Sequence, residues 1–514
     1  MIAAKKVASS DVSHVIARNN WTSGRYYSMY DDTVKFSSLT ASQASQNVNS
    51  GTADTTATLY PMYVMNSTFK VYKCLHNNKN EAGRPLPSTV EPTHTTTTAA
   101  APAAQSDGYI WKYMYTISAA ESLKFVTSSY IPVKQIRDAN AFGNTGTAGG
   151  LGTSGVKNDG SNQATIEFNA VDGALDIFVI NTDGSGYTFE TNKTVTTSGT
   201  CATYTLTMAA PGLTSNDQYN NSSIYFTFSG TSYVRKITDS AYGSSVQTLT
   251  LDATIPQLTG TITANVAPFV RINGDGHGQE IVLTANTTGG AAAGSVGGVT
   301  VVNSGNSFTT ATMTVSSQPG ASSPSGAVIT PIIPPKGGHG YDPVSELGGY
   351  FAMINTKLTQ SESGAFTTSN DFRKIGLLKD PNTNGGYVRY TSDTADQAKV
   401  ITYSAANEAV TGDITITQAA SGATAYVVDV NTSASTMRVI DVTNGSSATA
   451  GYDSKPGSLQ TGQAATSGTL SFTVGAVANG AMSIGSGEML YIENRAPVAR
   501  AADQTEDIKL IIEF

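Results

Sequence analysis

The sequence predicts a mainly β protein: a two-layer antiparallel β-sandwich core with minor helices, interrupted by two inserted small β modules. Three observations carry that expectation. Thr, Ser, Val and Ala dominate, and Gly supplies 50 of the 514 residues, a composition suited to short strands joined by tight turns. Charged residues make up only 13% of the chain, about half the globular average. Yet 24 Tyr and 16 Phe supply the aromatic side chains that disordered chains lack. The length exceeds what one hydrophobic core usually holds, so roughly two to four compact units are expected.

Residues 1–139 form the first part of the core. They carry both tryptophans, Trp21 and Trp111. Strands are expected over 60–64, 69–75 and 109–117, the last being the loosely alternating run Tyr109-Ile110-Trp111-Lys112-Tyr113-Met114-Tyr115. Residues 76–106 contain four threonines after His94 and an Ala/Pro tract, and read as a mobile loop. From 140 to 330 the texture changes to Gly, Thr, Ser and Ala, as in an inserted β module. Within it, Ile177-Phe178-Val179-Ile180-Asn181-Thr182-Asp183-Gly184-Ser185-Gly186-Tyr187-Thr188 recurs approximately as Val299-Thr300-Val301-Val302-Asn303-Ser304-Gly305-Asn306-Ser307-Phe308-Thr309. Two related hairpin units are expected there, too few for a solenoid.

Residues 331–397 return to core texture, with Asp371-Phe372-Arg373-Lys374-Ile375-Gly376-Leu377-Leu378 mixing charge and large apolar residues. A second Gly/Thr/Ser/Ala block over 398–483 reads as a second β insertion. Residues 484–514 supply the C-terminal core strands. Ile508, Leu510, Ile512 and Phe514 alternate against Lys509 and Glu513 at the period of a half-buried strand, a pattern that Ile511 breaks. Insertions of such composition are tolerated because they need only fold locally from a hairpin base.

The net charge of −8 and a pI near 5.2 leave no basic run to neutralise phosphates, so no nucleic-acid partner is expected. No apolar run reaches the ~18 residues of a membrane span. Residues 1–7 contain two lysines with no apolar run behind them, unlike a secretory leader. Cys74, inside an apolar strand, reads as a buried small hydrophobe. With Cys201 it makes at most one pair, which is no disulfide framework.

The search for chemistry yields no enzyme, cofactor or metal expectation. Nucleophile-elbow, phosphate-loop and zinc motifs are missing from the sequence. His277 and His339 both lie in Gly-His-Gly, without a second ligand at helical or hairpin spacing, and read as loop residues. Gly274-Asp275-Gly276 and Asp183-Gly184-Ser185-Gly186 lack the repeated carboxylates of calcium loops and read as tight turns. Asp31-Asp32 and Glu506-Asp507 are adjacent in sequence, whereas glycosidases flank one bond from two sides. Trp21, Arg25 and Tyr26 suit either an interface anchor or a core tryptophan beside an arginine.

Three ordered segments resemble the baseplate wedge proteins of T-even-type contractile phages. Val15-Ile16-Ala17-Arg18-Asn19-Asn20-Trp21-Thr22-Ser23-Gly24-Arg25-Tyr26 is similar to the family's V-I-P-R-x-x-W-x-x-x-R-Y, with Ala17 in place of the proline. Val71-Tyr72-Lys73-Cys74-Leu75 and Asp107-Gly108-Tyr109-Ile110-Trp111-Lys112-Tyr113 are similar to V-Y-R-C-L and D-G-Y-V-W-x-Y. The most specific match is Gly487-Glu488-Met489-Leu490-Tyr491-Ile492-Glu493-Asn494-Arg495-Ala496-Pro497, followed by Asp503-Gln504-Thr505-Glu506. The family reads G-E-M-x-Y-x-E-N-R-x-P and D-Q-T-E there. Phe372-Arg373-Lys374-Ile375 adds a weaker match. Neither insertion shares the resemblance, and this chain begins where the family already has an N-terminal region.

The resemblance implies a β-sandwich with flanking helices and a non-enzymatic role in the virion tail. It also implies a homodimer bound to other wedge proteins, assembled in the bacterial cytoplasm. The structural candidates are Trp21, Arg25, Tyr26, Trp111, Glu493, Asn494, Arg495, Asp503 and Glu506. Arg495 is expected to pair with Asp503 or Glu506 and pin the last strands. A receptor-binding or fibre-associated role, with the insertions touching host glycans, is the alternative.

Overall fold

The structure, a computed structural model, describes residues 2–32, 60–78, 86–98, 101–136, 161–197, 201–288, 291–320, 324–358, 374–443, 459–496 and 505–513. The architecture is mainly β, built from antiparallel sheets. It divides into two compact units: residues 14–352 with 513–514, and residues 1–13 with 353–512. The core segments expected from the sequence are thus distributed over both units.

In the unit containing residues 14–352, a central sheet orders Tyr63–Met65, Lys70–Asn77 and Tyr109–Thr116. The aromatic run alternates only loosely because the strand is covered on both sides. Tyr109, Trp111, Lys112, Tyr113, Met114 and Tyr115 are all buried. Trp111 stacks on Tyr109 and meets Tyr27 edge-on, at ring separations of 5.5 and 5.4 Å. These rings pack with Val64, Tyr72 and Cys74 in one core cluster. Val71, Met114 and Tyr115 join Ile16 and Ile131 in a second.

The expected mobile loop is different where it is described. Residues 86–98 form a strap fastened by polar groups along its length. Asn66 Nδ2 donates to the Pro92 carbonyl and Tyr72 Oη to that of His94, each at 2.9 Å. The His94 Nε2 in turn lies 2.9 Å from the Trp111 carbonyl, and Lys112 Nζ donates to Thr98 O at 2.8 Å. Side chains from the sheet thus satisfy an extended backbone that has no ladder of its own.

The two similar segments of the first insertion pair differently. The later copy lies in a hairpin, His277–Ala285 with Val296–Asn306. The earlier copy, Ile177–Ser185, pairs with the distant Ser325–Ile332 and so closes the base of the insertion. Gly184 sits inside that strand, not in a turn, with φ of +63°; a Cβ there would meet Ala327 N at 2.5 Å. Asp275 likewise ties two chain segments, accepting from the backbone N–H of Thr309 and Thr310 at 2.9 and 3.0 Å.

Each insertion also contains a closed six-stranded barrel among the described residues. Lettering the strands a–f in chain order, from Glu190–Thr196 to Ile262–Pro268, the first barrel closes as c-d-e-b-a-f. The second, from Lys399–Ser404 to Leu470–Ala478, closes as a-d-c-b-e-f. Advancing every letter of the second by one place, with f becoming a, reproduces the pairing cycle of the first. The two barrels therefore share one topology, circularly permuted by a single strand. Closure leaves no sheet edge, and turns such as Ser229-Gly230 and Ser244-Ser245, with positive φ at the residues named, account for the small-residue composition.

In the other unit, Ala3–Lys5 pairs with Thr394–Asp396 and Lys374–Lys379 with Glu488–Asn494. The C-terminal strand Glu506–Glu513 buries Ile508 and Leu510 as its alternation predicts. Within this unit the ends of the second barrel are joined by a polar staple: Gln397 Nε2 donates to Met482 O at 2.7 Å, and Met482 N donates to Gln397 Oε1 at 2.9 Å. With its first and last strands paired and its ends joined in this way, a fragment of residues 397–482 should fold alone. A β-type circular dichroism spectrum with one cooperative melt is expected; a coil spectrum would show that the barrel depends on the remaining chain.

Candidate functional site

The densest chemistry lies where the central sheet carries two lysines in otherwise apolar strands. Lys73 and Lys112 are register partners on adjacent strands, and both are buried, at 0 and 2% exposure. Like charges directly opposite one another in a sheet are destabilising, and buried charge requires a partner. The fold brings counter-charges from distant sequence.

Lys73 Nζ lies 2.7 Å from Glu346 Oε2 and 3.1 Å from His339 Nδ1. It also sits 4.0 Å from the centre of the Tyr30 ring, and that ring meets His339 edge-on at 5.0 Å. The other carboxylate oxygen of Glu346 accepts from Gly340 N at 2.8 Å and Asp342 N at 3.2 Å. Local sequence holds Glu346 there. Asp342 caps the short helix Pro343–Glu346 by accepting from Val344 N and Ser345 N, with Pro343 in the first turn. Gly338 and Gly340 take φ of +95° and +90°, and a Cβ on them would meet Val171 O at 2.3 Å and Ile166 Cγ2 at 2.5 Å. The Gly-His-Gly sequence is thus what lets the backbone pass closely enough to place His339 over Lys73.

Burial lowers the pKa of Lys73 and of Lys112. Burial and then the two lysine charges hold His339 well below its ordinary value, so the imidazole is neutral at pH 7. Burial raises Asp176 to about 6 against the attraction of Lys112, and the Ser304 hydroxyl also favours its ionised form. Tyr30 is raised by burial and then by Glu346, Asp32 and Asp31.

The residues singled out from sequence fall in separate places. Trp111 is fully buried in the aromatic cluster. Trp21 lies at that cluster's margin and donates from Nε1 to Ser88 Oγ at 3.1 Å, while the Arg25 carbonyl accepts from Ser88 N at 2.7 Å. The Tyr26 ring lies 5.9 Å from that of Tyr60. Glu493 and Asn494 end the strand Glu488–Asn494, opposite Ile375 and Lys374. Arg495 Nη1 reaches Glu506 Oε1 at 3.5 Å. Asp503 and Phe372-Arg373 lie outside the described residues. With the arginine side chain 35% exposed, a pair of this kind contributes under about 1 kcal/mol. The strong clamp is Lys73–Glu346, which sequence reasoning missed. Its signal was two lysines in the same phase of two apolar strands, together with a histidine between glycines.

No family model, curated protein or solved structure matches this chain. Among the described residues, no group of three or more His, Cys, Asp and Glu is placed to hold a metal ion. No helix there is long and apolar enough to cross a membrane. Cys74 is buried and Cys201 exposed, and both are free. What the arrangement does chemically is fasten the sheet strand Lys70–Asn77 to the helix Pro343–Glu346 from inside the core.

Lys73→Met strands the Glu346 charge and should cost about 3–5 kcal/mol in urea unfolding. Combining Lys73→Met with Glu346→Gln removes both charges and keeps a carbonyl for Gly340 and Asp342. This double variant should therefore unfold later than Lys73→Met alone; strict additivity would dissolve the pair's role. Asp176 gives a second test through pH. Its folded pKa lies above the ordinary 3.8, so its contribution is full below about pH 4 and is lost as pH rises through about 6. Asp176→Asn should match the native chain near pH 4 and exceed it by about 2–3 kcal/mol at pH 8, as measured by unfolding at both pH values.

Proposed function

We propose that this chain is a structural subunit of the baseplate wedge of a contractile phage tail. In this reading it is a homodimer that holds neighbouring wedge proteins and moves as a rigid body when the baseplate rearranges. The observation that carries the reading is the strand Glu488–Asn494, which bears the segment most similar to the wedge family. Met489, Leu490 and Ile492 on it are 48, 51 and 55% exposed, and among the described residues it pairs only with Lys374–Lys379. A two-stranded ribbon with apolar residues in water is marginal by itself, and an apolar edge strand invites further pairing. A segment that resembles an assembly protein and leaves its apolar side chains uncovered fits a surface completed by a neighbouring subunit.

The buried clamp supports the same reading from the opposite side. A subunit that transmits movement needs a stiff interior, with change confined to its interfaces. The resembling segments around residues 71–75 and 107–113 supply that interior, whereas the one around residue 490 supplies the contact. Neither barrel belongs to the resemblance, and both are placed here as outward additions.

An antibody against residues 398–483 should label the baseplate body of intact particles in electron micrographs. A Leu490→Asp/Ile492→Asp variant should keep the native melting temperature yet be missing from particles. Label at fibre tips would replace this reading with host recognition, and normal incorporation of the variant would remove the strand from the interface.

A further inference from the structure

The clamp between Lys73 and Glu346 is arranged as more than an ion pair. The two oxygens of the carboxylate have different surroundings. Oε1 is held by two peptide N–H groups, Gly340 at 2.8 Å and Asp342 at 3.2 Å. Oε2 is the oxygen that meets the amine, at 2.7 Å. On its other side the amine faces His339 Nδ1 at 3.1 Å. The side chains of Lys73 and Glu346 are 0 and 2% exposed, and His339 is buried.

We propose that Lys73 and Glu346 condense without an external catalyst into an isopeptide bond joining Nζ to Cδ. A proton passes from Nζ to Oε2, leaving a neutral amine beside a neutral acid. The nitrogen lone pair then forms the bond to Cδ. Negative charge develops on Oε1, where the N–H groups of Gly340 and Asp342 already stand, as donors do in an oxyanion hole. His339 Nδ1 takes the second proton from nitrogen and returns it to Oε2, which leaves as water. The nitrogen ends with one hydrogen, the water carries the two it lost, and no oxidant or reductant is needed.

Two physical arguments favour the product. Burying an ammonium and a carboxylate together is costly even when they touch, and condensation abolishes both charges. The polar atoms of the resulting amide would also be satisfied where they stand: its N–H faces His339 Nδ1, and its carbonyl keeps the two backbone donors. Burial, and then the neighbouring cations, keep His339 neutral, which is the form able to accept a proton. Exclusion of water protects the bond once formed.

The linked residues are 273 positions apart, so the bond would close a loop containing the whole first insertion. Tension on the chain would then bypass that barrel. The inference stands independently of the wedge assignment.

Mass spectrometry of the purified, folded full-length chain under denaturing conditions decides the matter. The native chain should be lighter than its sequence by one water. A tryptic digest should yield a branched peptide joining Lys73 to Glu346, with no cleavage after Lys73. Lys73→Arg serves as the reference for any processing at the N-terminus and should retain the water. Where Lys73→Arg does not fold, the branched peptide of the native chain is sufficient. Full sequence mass and two linear peptides from folded protein would overturn the proposal.

Discussion

Two lysines facing each other inside a sheet form the constraint from which much of the first unit follows. Lys73 and Lys112 occupy paired positions on adjacent strands and are removed from water. Such an arrangement is unstable until negative charge is delivered to it. The chain delivers Glu346 directly to Lys73, while the charge of Asp176, which its own burial opposes, offsets that of Lys112 only in part. Both come from segments far away in sequence. The return of the chain at residues 334–349 is thereby fixed, as are the short helix, its Asp342 cap and the two glycines that let the backbone approach. The aromatic cluster beside the lysines adds apolar burial, but apolar contact alone has no direction. The ion pair supplies the direction.

The insertions leave this constraint undisturbed because each is self-contained. Ile177–Ser185 and Ser325–Ile332 pair to form the base of the first, and the barrel between them closes on its own strands. The second barrel solves the same problem with Gln397, whose amide bridges to Met482 in both directions. A closed barrel suits such a position because it presents no edge to a neighbour. The single-strand permutation between the barrels places the free ends at a different pair of adjacent strands in each. One topology can then be joined to the chain at two different places on its wall.

The sequence was legible where local pattern decides structure and opaque where distant charges decide it. Strand positions near 63–65, 70–77 and 109–116 follow from β-branched and aromatic runs, and the C-terminal strand from its period of two. Composition marked both insertions, since tight turns require small residues. Barrel closure was not legible, because pairing order is a non-local property that no hairpin reveals. The strap at 86–98 misled for a different reason. Its threonines and prolines resemble a free loop, and the groups that fasten it lie elsewhere, Tyr72 and Lys112 in strands and Asn66 in the turn between two strands. The clamp was hidden likewise: His339 looked like an isolated loop histidine because its partners are in another part of the chain. Arg495–Glu506 was readable from sequence proximity, yet its partial exposure limits what it contributes.

The contrast between clamp and edge strand bears on how such a molecule would work in an assembly. Around Lys73 a strand and a helix are fastened to each other inside the core, so the interior resists deformation. Around Leu490 and Ile492 the contacts lie with water, and covering them gains free energy without rearranging the interior. Force entering at the ribbon would pass through a unit whose own sheets are antiparallel and laterally paired. In the unit built around Lys73, a load reaching the central sheet meets a fastening that skips the inserted barrel.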